Sequence, residues 1–403
     1  MAKTVITNIG TIVSGDVRKP LLKGDTIVCQ DGKIGAVGFA KELDIGQAEF
    51  VIDAVGMAVT PGLIDPHTHP AIGDWTPRQK SLDWMEGALN AGVTTLISQG
   101  AVMVQGRPTD PAGAKALAIL GAKTSQNFRP GGGLKTHQGT IILDAGLTEA
   151  DFREMAENGV EVVAEIGGSG LYKPEDVKEM VGWARKYKMT IGMHCGGRSI
   201  PGSAKVWADM IMEVKPDIII HLNGGSTGAP WAEVEKLITQ TDFMIEVIYN
   251  GNPKLMYDIV ELLKGRDELH RLVLGSDTPI GIGLIPTAIL RCIVQVSSLN
   301  KIPAEKVIAM ASGTTAGAYK LNTGKIEVGR EADLLLMAPP ADSVSETALK
   351  AIGIGDTPAI GIIIIDGQIV TTRARNTGQS TTLAKINGRD VSAPGIQQYL
   401  FGR

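Results

Sequence analysis

The sequence predicts an α/β fold, a (β/α)₈ TIM-like barrel with a small β-sandwich domain built from both chain ends. Three observations predict it. Between residues 58 and 298, short apolar segments alternate with helical segments, which is typical of parallel strands joined by helices. Short β-patterned segments broken by glycine and aspartate occur near both ends of the chain. The length of 403 residues accommodates a barrel of about 250 residues and a smaller partner domain.

Residues 1–60 and 326–380 are predicted to form the two parts of the sandwich. Alternating β patterns, four of them joined in pairs by aspartate–glycine turns, predict its strands: Thr4–Ile9, Thr26–Cys29, Lys33–Val37, Ala332–Met337, Ile360–Ile365 and Gln368–Thr371. Neither part has enough strands for its own core, so the two parts are expected to share one. Residues 381–403 are polar and contain glycine, which predicts a C-terminal tail.

Residues 61–325 are predicted to form the barrel, whose first strand begins slightly earlier. Its eight strands are expected at Ala58–Ile64, Thr94–Ser98, Leu134–Ile142, Val160–Ile166, Thr190–His194, Ile218–His221, Phe243–Ile248 and Leu272–Gly275. Helical segments are expected at 79–91, 112–124, 148–158, 174–187, 203–214, 231–240, 253–268 and 285–298. Eight such repeats favour a closed barrel over an open sheet.

Charge and cysteine content limit the possible partners and compartments. A net charge of −4 and a pI near 5.9 disfavour a nucleic-acid or anionic-membrane partner. The three cysteines form no CxxC pair, and the N-terminal segment has no apolar signal-peptide core. The longest aliphatic run, Ile360–Ile365, is far shorter than the ~20 residues that span a bilayer. We expect a cytoplasmic protein with a small-molecule substrate.

Four of the six histidines lie where predicted strands end. His67 and His69 follow the first strand, and residues i and i+2 of an extended chain point to the same side. His194 and His221 end the fifth and sixth strands, and the carboxylates Glu165 and Asp277 accompany the fourth and eighth. The carboxyl ends of barrel strands converge on one volume. Buried together, these groups would be costly unless a cation satisfied them.

The mixed nitrogen and oxygen set indicates zinc, iron or manganese more than calcium. Six ligands exceed one tetrahedral site, so we expect two divalent metal ions that share a carboxylate and activate a water. A single HxH pair or a single histidine at a strand end is commonly structural. The prediction therefore depends on the whole set.

Three further residues are weaker candidates. His137, within the third strand, is either a hydrogen-bond donor to a substrate carbonyl or a core histidine. A substrate carboxylate would need a cation, for which Arg78 and Arg107 are candidates, although either could be a surface or salt-bridge residue. His270 resembles a solvated residue at a helix end and is excluded.

The ligand pattern resembles the amidohydrolase superfamily, in which HxH follows strand one, a Lys or Glu bridge follows strand four, and His, His and Asp follow strands five, six and eight. The segment 321–334, with its Ala332-Asp333-Leu334 end, is also similar to that superfamily. Within it, the chain most resembles the enamidases, over nearly its whole length and in segments such as 199–203, 221–225 and 251–254. The resemblance implies Glu165 as the metal bridge, a zinc or zinc–iron pair and a homotetramer.

The reaction that the resemblance implies is hydrolysis of 6-oxo-1,4,5,6-tetrahydronicotinate to 2-formylglutarate and ammonia. We expect a metal-bridged hydroxide to attack the amide carbonyl while Asp277 carries the proton to the leaving nitrogen and His137 stabilises the oxyanion. Other members of the superfamily remain alternatives: a cyclic imide or dihydropyrimidine hydrolase, or a metal-dependent deacetylase. A non-catalytic scaffold on the same fold is a third possibility, which the intact ligand set disfavours.

Overall fold

The computed structural model describes residues 3–70, 78–100, 107–129, 132–198, 202–225, 228–278 and 283–402, with the backbone alone for residues 78–82. The chain divides into two compact units. The first comprises residues 1–64, 87–94 and 293–403, and the second comprises residues 65–86 and 95–292. In the described part of the chain, no helix is both long and apolar enough to span a membrane.

The strands, in chain order, are β1 Lys3–Thr7, β2 Thr11–Val13, β3 Leu21–Leu22, β4 Thr26–Gln30, β5 Lys33–Gly38, β6 Phe50–Asp53, β7 Ala58–Pro61, β8 Leu63–Thr68, β9 Val93–Ser98, β10 Lys135–His137, β11 Thr140–Ile141, β12 Val162–Ile166, β13 Thr190–His194, β14 Ile218–Ile220, β15 Met244–Ile248, β16 Leu272–Gly275, β17 Leu334–Ala338, β18 Ala359–Ile365, β19 Gln368–Thr371, β20 Lys385–Ile386 and β21 Arg389–Asp390.

The helices are α1 Arg78–Leu89, α2 Pro111–Asn127, α3 Glu149–Glu157, α4 Pro174–Lys186, α5 Ala208–Val214, α6 Trp231–Gln240, α7 Pro253–Gly265, α8 Ala288–Asn300, α9 Ala304–Ala309, α10 Thr315–Ala318, α11 Ala348–Ile354 and α12 Ile396–Phe401. Several begin as their sequences predict. Pro253 opens α7 and the Asn252 side chain accepts hydrogen bonds from Lys254 N and Leu255 N, so the first turn is capped.

The first unit contains two six-stranded sheets, ordered β21-β20-β6-β1-β4-β5 and β19-β18-β17-β7-β2-β3. Each sheet contains strands from both ends of the chain. Alternate side chains along the strands, such as Leu334 and Leu336, join Ile6 and Ile27 of the other sheet in one hydrophobic cluster. The sheets therefore share a core.

Residues 381–403, predicted as a tail, extend this unit. β20 pairs antiparallel with β6, with Ile386 opposite Ile52. Ile386, Ile396 and Leu400 are buried in the shared cluster. The segment is polar on average, but these three apolar residues are buried in the core. The segment was predicted as a tail because amino-acid composition carries no information about these long-range contacts.

The second unit contains most of the residues of two sheets in which every strand pair is parallel. The strand order is β10-β9-β8 in one sheet and β11-β12-β13-β14-β15-β16 in another. Strands such as Ile218–Ile220 are apolar throughout and fully buried, as expected for strands covered on both faces. A parallel bridge joins Thr68 to Thr278, next to a hydrogen bond from Asp277 N to His67 O of 2.9 Å. The carboxyl ends of β8 and β16 are therefore adjacent.

The predicted strand Leu134–Ile142 is instead two short strands, β10 and β11. Gln138 and Gly139 interrupt it, and Thr140 N donates to Gln138 O at 2.9 Å. A Cβ atom on Gly139 would lie 2.6 Å from Gly159 O, so no larger residue fits. The glycine is the visible sequence signal of this irregularity.

Candidate metal centre

One group of candidate ligands lies at the end of β8. His67 is fully buried and His69 is 7% exposed. Asp277, two residues beyond β16, approaches both rings. His67 Nε2 lies 3.2 Å from His69 Nε2 and 3.4 Å from Asp277 Oδ1, and His69 Nε2 lies 3.3 Å from the same oxygen. Three ligand atoms therefore form a nearly equilateral triangle.

A second group joins three strand ends. Glu165 lies on β12, His194 ends β13 and His221 follows β14. Glu165 Oε1 lies 2.8 Å from His194 Nδ1 and 2.6 Å from His221 Nε2. The other carboxylate oxygen, Oε2, lies 3.9 Å from His67 Nε2. The cluster therefore has two overlapping metal-sized sets, His67–Glu165–His221 and His67–His69–Asp277, with His67 common to both.

These distances bear on whether metal ions fit. Zinc–nitrogen and zinc–oxygen bonds of 2.0–2.2 Å in a tetrahedral site place the ligand atoms roughly 3.3 Å apart. The first group has that spacing, at 3.2–3.4 Å. Within the second group the short contacts are hydrogen-bond distances of 2.6–2.8 Å. Imidazole nitrogens and carboxylate oxygens suit zinc, iron and manganese. The first group therefore has both the donor atoms and the spacing for one such ion, and the second group has the donor atoms for another.

Two of the candidate ligands have left-handed backbone conformations. The φ angle is +35° at His221 and +61° at Asp277. Residues other than glycine disfavour this region of backbone conformation. Backbone strain of this kind is concentrated at functional sites, where the surrounding structure enforces it. Asp277 is held by its backbone hydrogen bond to His67 O.

Burial and mutual charge shift the pKa values of the cluster. Burial alone would raise the pKa values of Glu165 and Asp277, but the neighbouring histidines outweigh it and both are lowered. Burial alone would lower the pKa of His67, yet the charges of Glu246 and Asp277 raise it to about 10. The pKa of His221 is raised mainly by Glu165, against the effect of burial.

Two buried carboxylates that sequence reasoning missed support His67. Glu246 on β15 is 0% exposed, and its Oε1 accepts from His67 Nδ1 at 2.6 Å. Asp65 accepts from the backbone nitrogens of His67 and Ser276 at 3.2 and 3.1 Å. Burial raises the pKa of Asp65 to about 7. The sequence feature that could have identified Glu246 is its position as the single acidic residue in the otherwise apolar strand Met244–Ile248.

The weaker candidates lie in different surroundings. His137 Nδ1 is 3.6 Å from Glu161 Oε2, and Glu161 precedes β12, whereas Glu165 is near the carboxyl end of that strand. Arg107 makes a bidentate ion pair with Asp144, at 2.5 and 2.9 Å, and both side chains are 8% exposed. The side chain of Arg78, at the start of α1, lies outside the described residues. His270 is exposed.

Comparisons with known proteins define the class. Residues 257–370 match the amidohydrolase family. The chain is 47% identical over 388 residues to enamidase from Eubacterium barkeri, covering 96% of this chain and all of the relative. The chain therefore belongs to the amidohydrolase family. An imidazolonepropionase from a Geobacillus species is 24% identical, with coverage of 79% and 85%.

Solved structures agree. A crystal structure of enamidase, described as a new member of the amidohydrolase superfamily, superposes with a TM-score of 0.91 at 46% identity, covering 96% of this chain and 100% of that one. A β-aspartyl dipeptidase from Fervidobacterium islandicum AW-1 has the same fold, with a TM-score of 0.64, 17% identity and coverage of 94% and 99%. The chain is thus an enamidase-like amidohydrolase, which confirms the predicted family and enzyme class.

Proposed function

We propose that the chain hydrolyses the amide carbon–nitrogen bond of a cyclic amide, with 6-oxo-1,4,5,6-tetrahydronicotinate as substrate. A second water then hydrolyses the enamine left by ring opening, so that both carbon–nitrogen bonds are broken and the products are 2-formylglutarate and ammonia. The observation that carries the proposal is the triangle of His67, His69 and Asp277 atoms at metal-ligand spacing beside the Glu165 group. The 47% identity to enamidase along the chain supports the reaction class.

The proposed architecture is a closed (β/α)₈ barrel over residues 61–325 and a sandwich formed by residues 1–60 and 326–380. The bridge between Thr68 and Thr278 supports closure, because it brings the last strand beside the first. The split strand β10–β11 then counts as the third barrel strand, which supports eight positions around the barrel.

The proposed cofactors are two divalent ions, zinc or a zinc–iron pair. His67, His69 and Asp277 would hold one ion, His194 and His221 the other, and Glu165 would bridge them. Bound there, the ions would lower the pKa of water towards neutrality and polarise the amide carbonyl. The ligand set and its spacing support the pair; the choice of metal follows the resemblance to enamidases.

Asp277 is the proposed proton carrier. Its lowered pKa keeps the carboxylate ionised at neutral pH, so it can accept a proton from the attacking water. As the new carbon–oxygen bond forms and the amide carbon–nitrogen bond breaks, Asp277 donates that proton to the leaving nitrogen. The contacts with His67 and His69 hold its Oδ1 at the reacting centre.

A substrate carboxylate would be bound by a cationic side chain. Arg78 is the better candidate for a substrate carboxylate, because Asp144 already neutralises the charge of Arg107. The contact of His137 with Glu161 supports a structural role for this histidine. We also propose a homotetramer in the cytoplasm. The buried, unpaired thiols of Cys29, Cys195 and Cys292 support a reducing compartment.

A substrate panel tests the proposed reaction. The purified protein, loaded with zinc or iron, is assayed for amide hydrolysis with 6-oxo-1,4,5,6-tetrahydronicotinate, dihydrouracil, succinimide and an N-acetyl amino acid, and the product of each is identified chromatographically. Ammonia release is measured for the first compound. We expect turnover of the first compound to exceed the others. Faster turnover of another compound would identify that compound's hydrolysis as the reaction of the chain. A metal-free protein with full activity would refute the proposed mechanism.

The variant Asp277→Asn tests the proton carrier in the same assay. Loss of a positioned acid–base group typically reduces turnover by about 10²–10⁴-fold. We expect a loss in this range with substantial metal retained, since the amide oxygen can still act as a ligand. Nearly full turnover would assign the proton transfer to another group.

A further inference from the structure

Glu246 touches both groups of candidate ligands without belonging to either. It lies in the middle of β15 and is 0% exposed. Its Oε1 atom lies 2.6 Å from Nδ1 of His67 and 3.3 Å from the backbone nitrogen of His221. His67 belongs to both metal-sized sets and His221 to one of them.

We infer that Glu246 is a positioning residue that fixes both metal sites through His67 and His221, an inference that rests on the proposed function. A neutral imidazole has one N–H group and one lone pair. Because the Glu246 carboxylate accepts the hydrogen of His67 Nδ1, the lone pair is left on Nε2. That atom faces the ligand atoms of both sets, so the carboxylate selects the tautomer that can bind metal.

The contact with His221 fixes the second strand end. The His221 backbone has a φ of +35°, which is unfavourable for a residue with a side chain. Its N–H donates to the same Oε1 oxygen that accepts from His67. One buried oxygen therefore orients ligand residues from β8 and from the end of β14. If Glu246 moves, both ligands are released together.

Gly275 provides the space for this contact. It lies on β16, opposite Ile248 of β15. A Cβ atom on Gly275 would lie 3.0 Å from His67 Cβ and 3.1 Å from Glu246 Cδ, closer than such contacts normally allow. A methyl group here would push His67 and Glu246 without removing any polar group. Gly275→Ala is therefore an independent way to disturb the same contact.

The experiment measures zinc binding by Glu246→Gln in competition with a chromophoric chelator. Loss of such an outer carboxylate typically weakens metal binding 10- to 100-fold. We expect a loss in this range for both zinc equivalents, because both sets share His67. The matched control is Glu233→Gln, whose carboxylate accepts only a backbone N–H, that of Ala208 at 2.9 Å, among the hydrogen bonds described. Zinc binding of the control should equal that of the wild type.

Cobalt substitution separates positioning from general stability. The visible spectrum of bound cobalt reports ligand geometry, so we expect a changed spectrum in Glu246→Gln and in Gly275→Ala but not in the control. If Glu246→Gln does not fold, as judged by circular dichroism, Gly275→Ala carries the test. It should also bind zinc at least tenfold more weakly.

Three results have distinct meanings. Wild-type zinc affinity and an unchanged cobalt spectrum in the folded variants would overturn the inference. Weakening of one zinc equivalent alone would overturn the claim that Glu246 serves both sites. A wild-type protein that binds no metal would instead refute the proposed function on which the inference rests.

Discussion

Gly168 lies against the carboxylate of Glu165, three residues away in the loop that follows β12. A Cβ atom at this position would lie 2.5 Å from Glu165 Cδ and 2.6 Å from Oε2. The Gly168 backbone nitrogen also donates to Glu165 O at 2.9 Å. The absent side chain thus leaves room for a carboxylate directed at His194 and His221.

Gly168→Ala should displace the Glu165 carboxylate, because a methyl group cannot share its volume. A shift of about 1 Å in a functional group can reduce turnover by about 100-fold. We expect a loss of that order, with less metal bound, measured by turnover and elemental analysis. Gly182→Ala is the control, because Gly182 is exposed in α4 with nothing within 4 Å of a Cβ. Equal behaviour of the two variants would contradict the steric argument.

The Arg107–Asp144 pair has a separate residue-scale consequence. Removing one partner of a buried ion pair leaves an uncompensated charge and destabilises a protein by about 3–5 kcal/mol. We expect a loss of this size for Arg107→Met and for Asp144→Leu, measured by urea unfolding. The double variant should lose much less than the sum of both. A raised KM with unchanged stability in Arg107→Met would instead support substrate binding by this arginine.

At the element scale, the features that depend on local sequence patterns were predicted better than those that depend on long-range contacts. The HxH motif at the end of β8 was readable because period-two geometry directs both rings to one side. The comparisons confirm the predicted family. The structure places the six residues close to one another, and their role as metal ligands stays a prediction. Glu246 was missed because its partners, His67 and His221, lie on or after other strands. Asp65 was missed because its contact with Ser276 joins segments far apart in the sequence. The break at Gly139 was missed because it depends on a close approach to Gly159.

The C-terminal segment shows the same limit and carries an element-scale prediction. Ile386 on β20 is 0% exposed, whereas Leu383, three residues earlier, is 45% exposed. Truncation of a buried Ile to Ala typically costs about 2–5 kcal/mol, and that of an exposed residue less than about 0.5 kcal/mol. We expect Ile386→Ala to destabilise the protein within that range and Leu383→Ala to have little effect, as measured by urea unfolding. Similar small effects would mean that 381–403 contributes no core.

At the scale of the whole molecule, the net charge of −4 conceals a concentration of acid in one place. Glu165, Asp277, Glu246 and Asp65 are all less than 9% exposed and lie around His67 and its neighbours. Two divalent cations held there would offset the negative charges of Glu165 and Asp277, whose lowered pKa values keep them ionised at neutral pH. Without the cations, burial would lower the pKa of His67, but the charges of Glu246, Asp277 and Glu165 act on its ring and raise the pKa to about 10.

This charge balance predicts that metal uptake releases protons. In the metal-free protein, His67 is protonated at pH 7 because its pKa is raised, whereas Glu165 and Asp277 are already ionised because theirs are lowered. Metal binding requires a neutral imidazole, so at least one proton should leave per chain.

Zinc affinity should therefore rise with pH up to about the pKa of His67. Calorimetric titrations of the metal-free protein in phosphate and in Tris should differ in apparent enthalpy by the ionisation heat of the released protons. Equal enthalpies in the two buffers would mean that His67 is neutral before the metal arrives, and that the buried carboxylates do not hold a proton in its place.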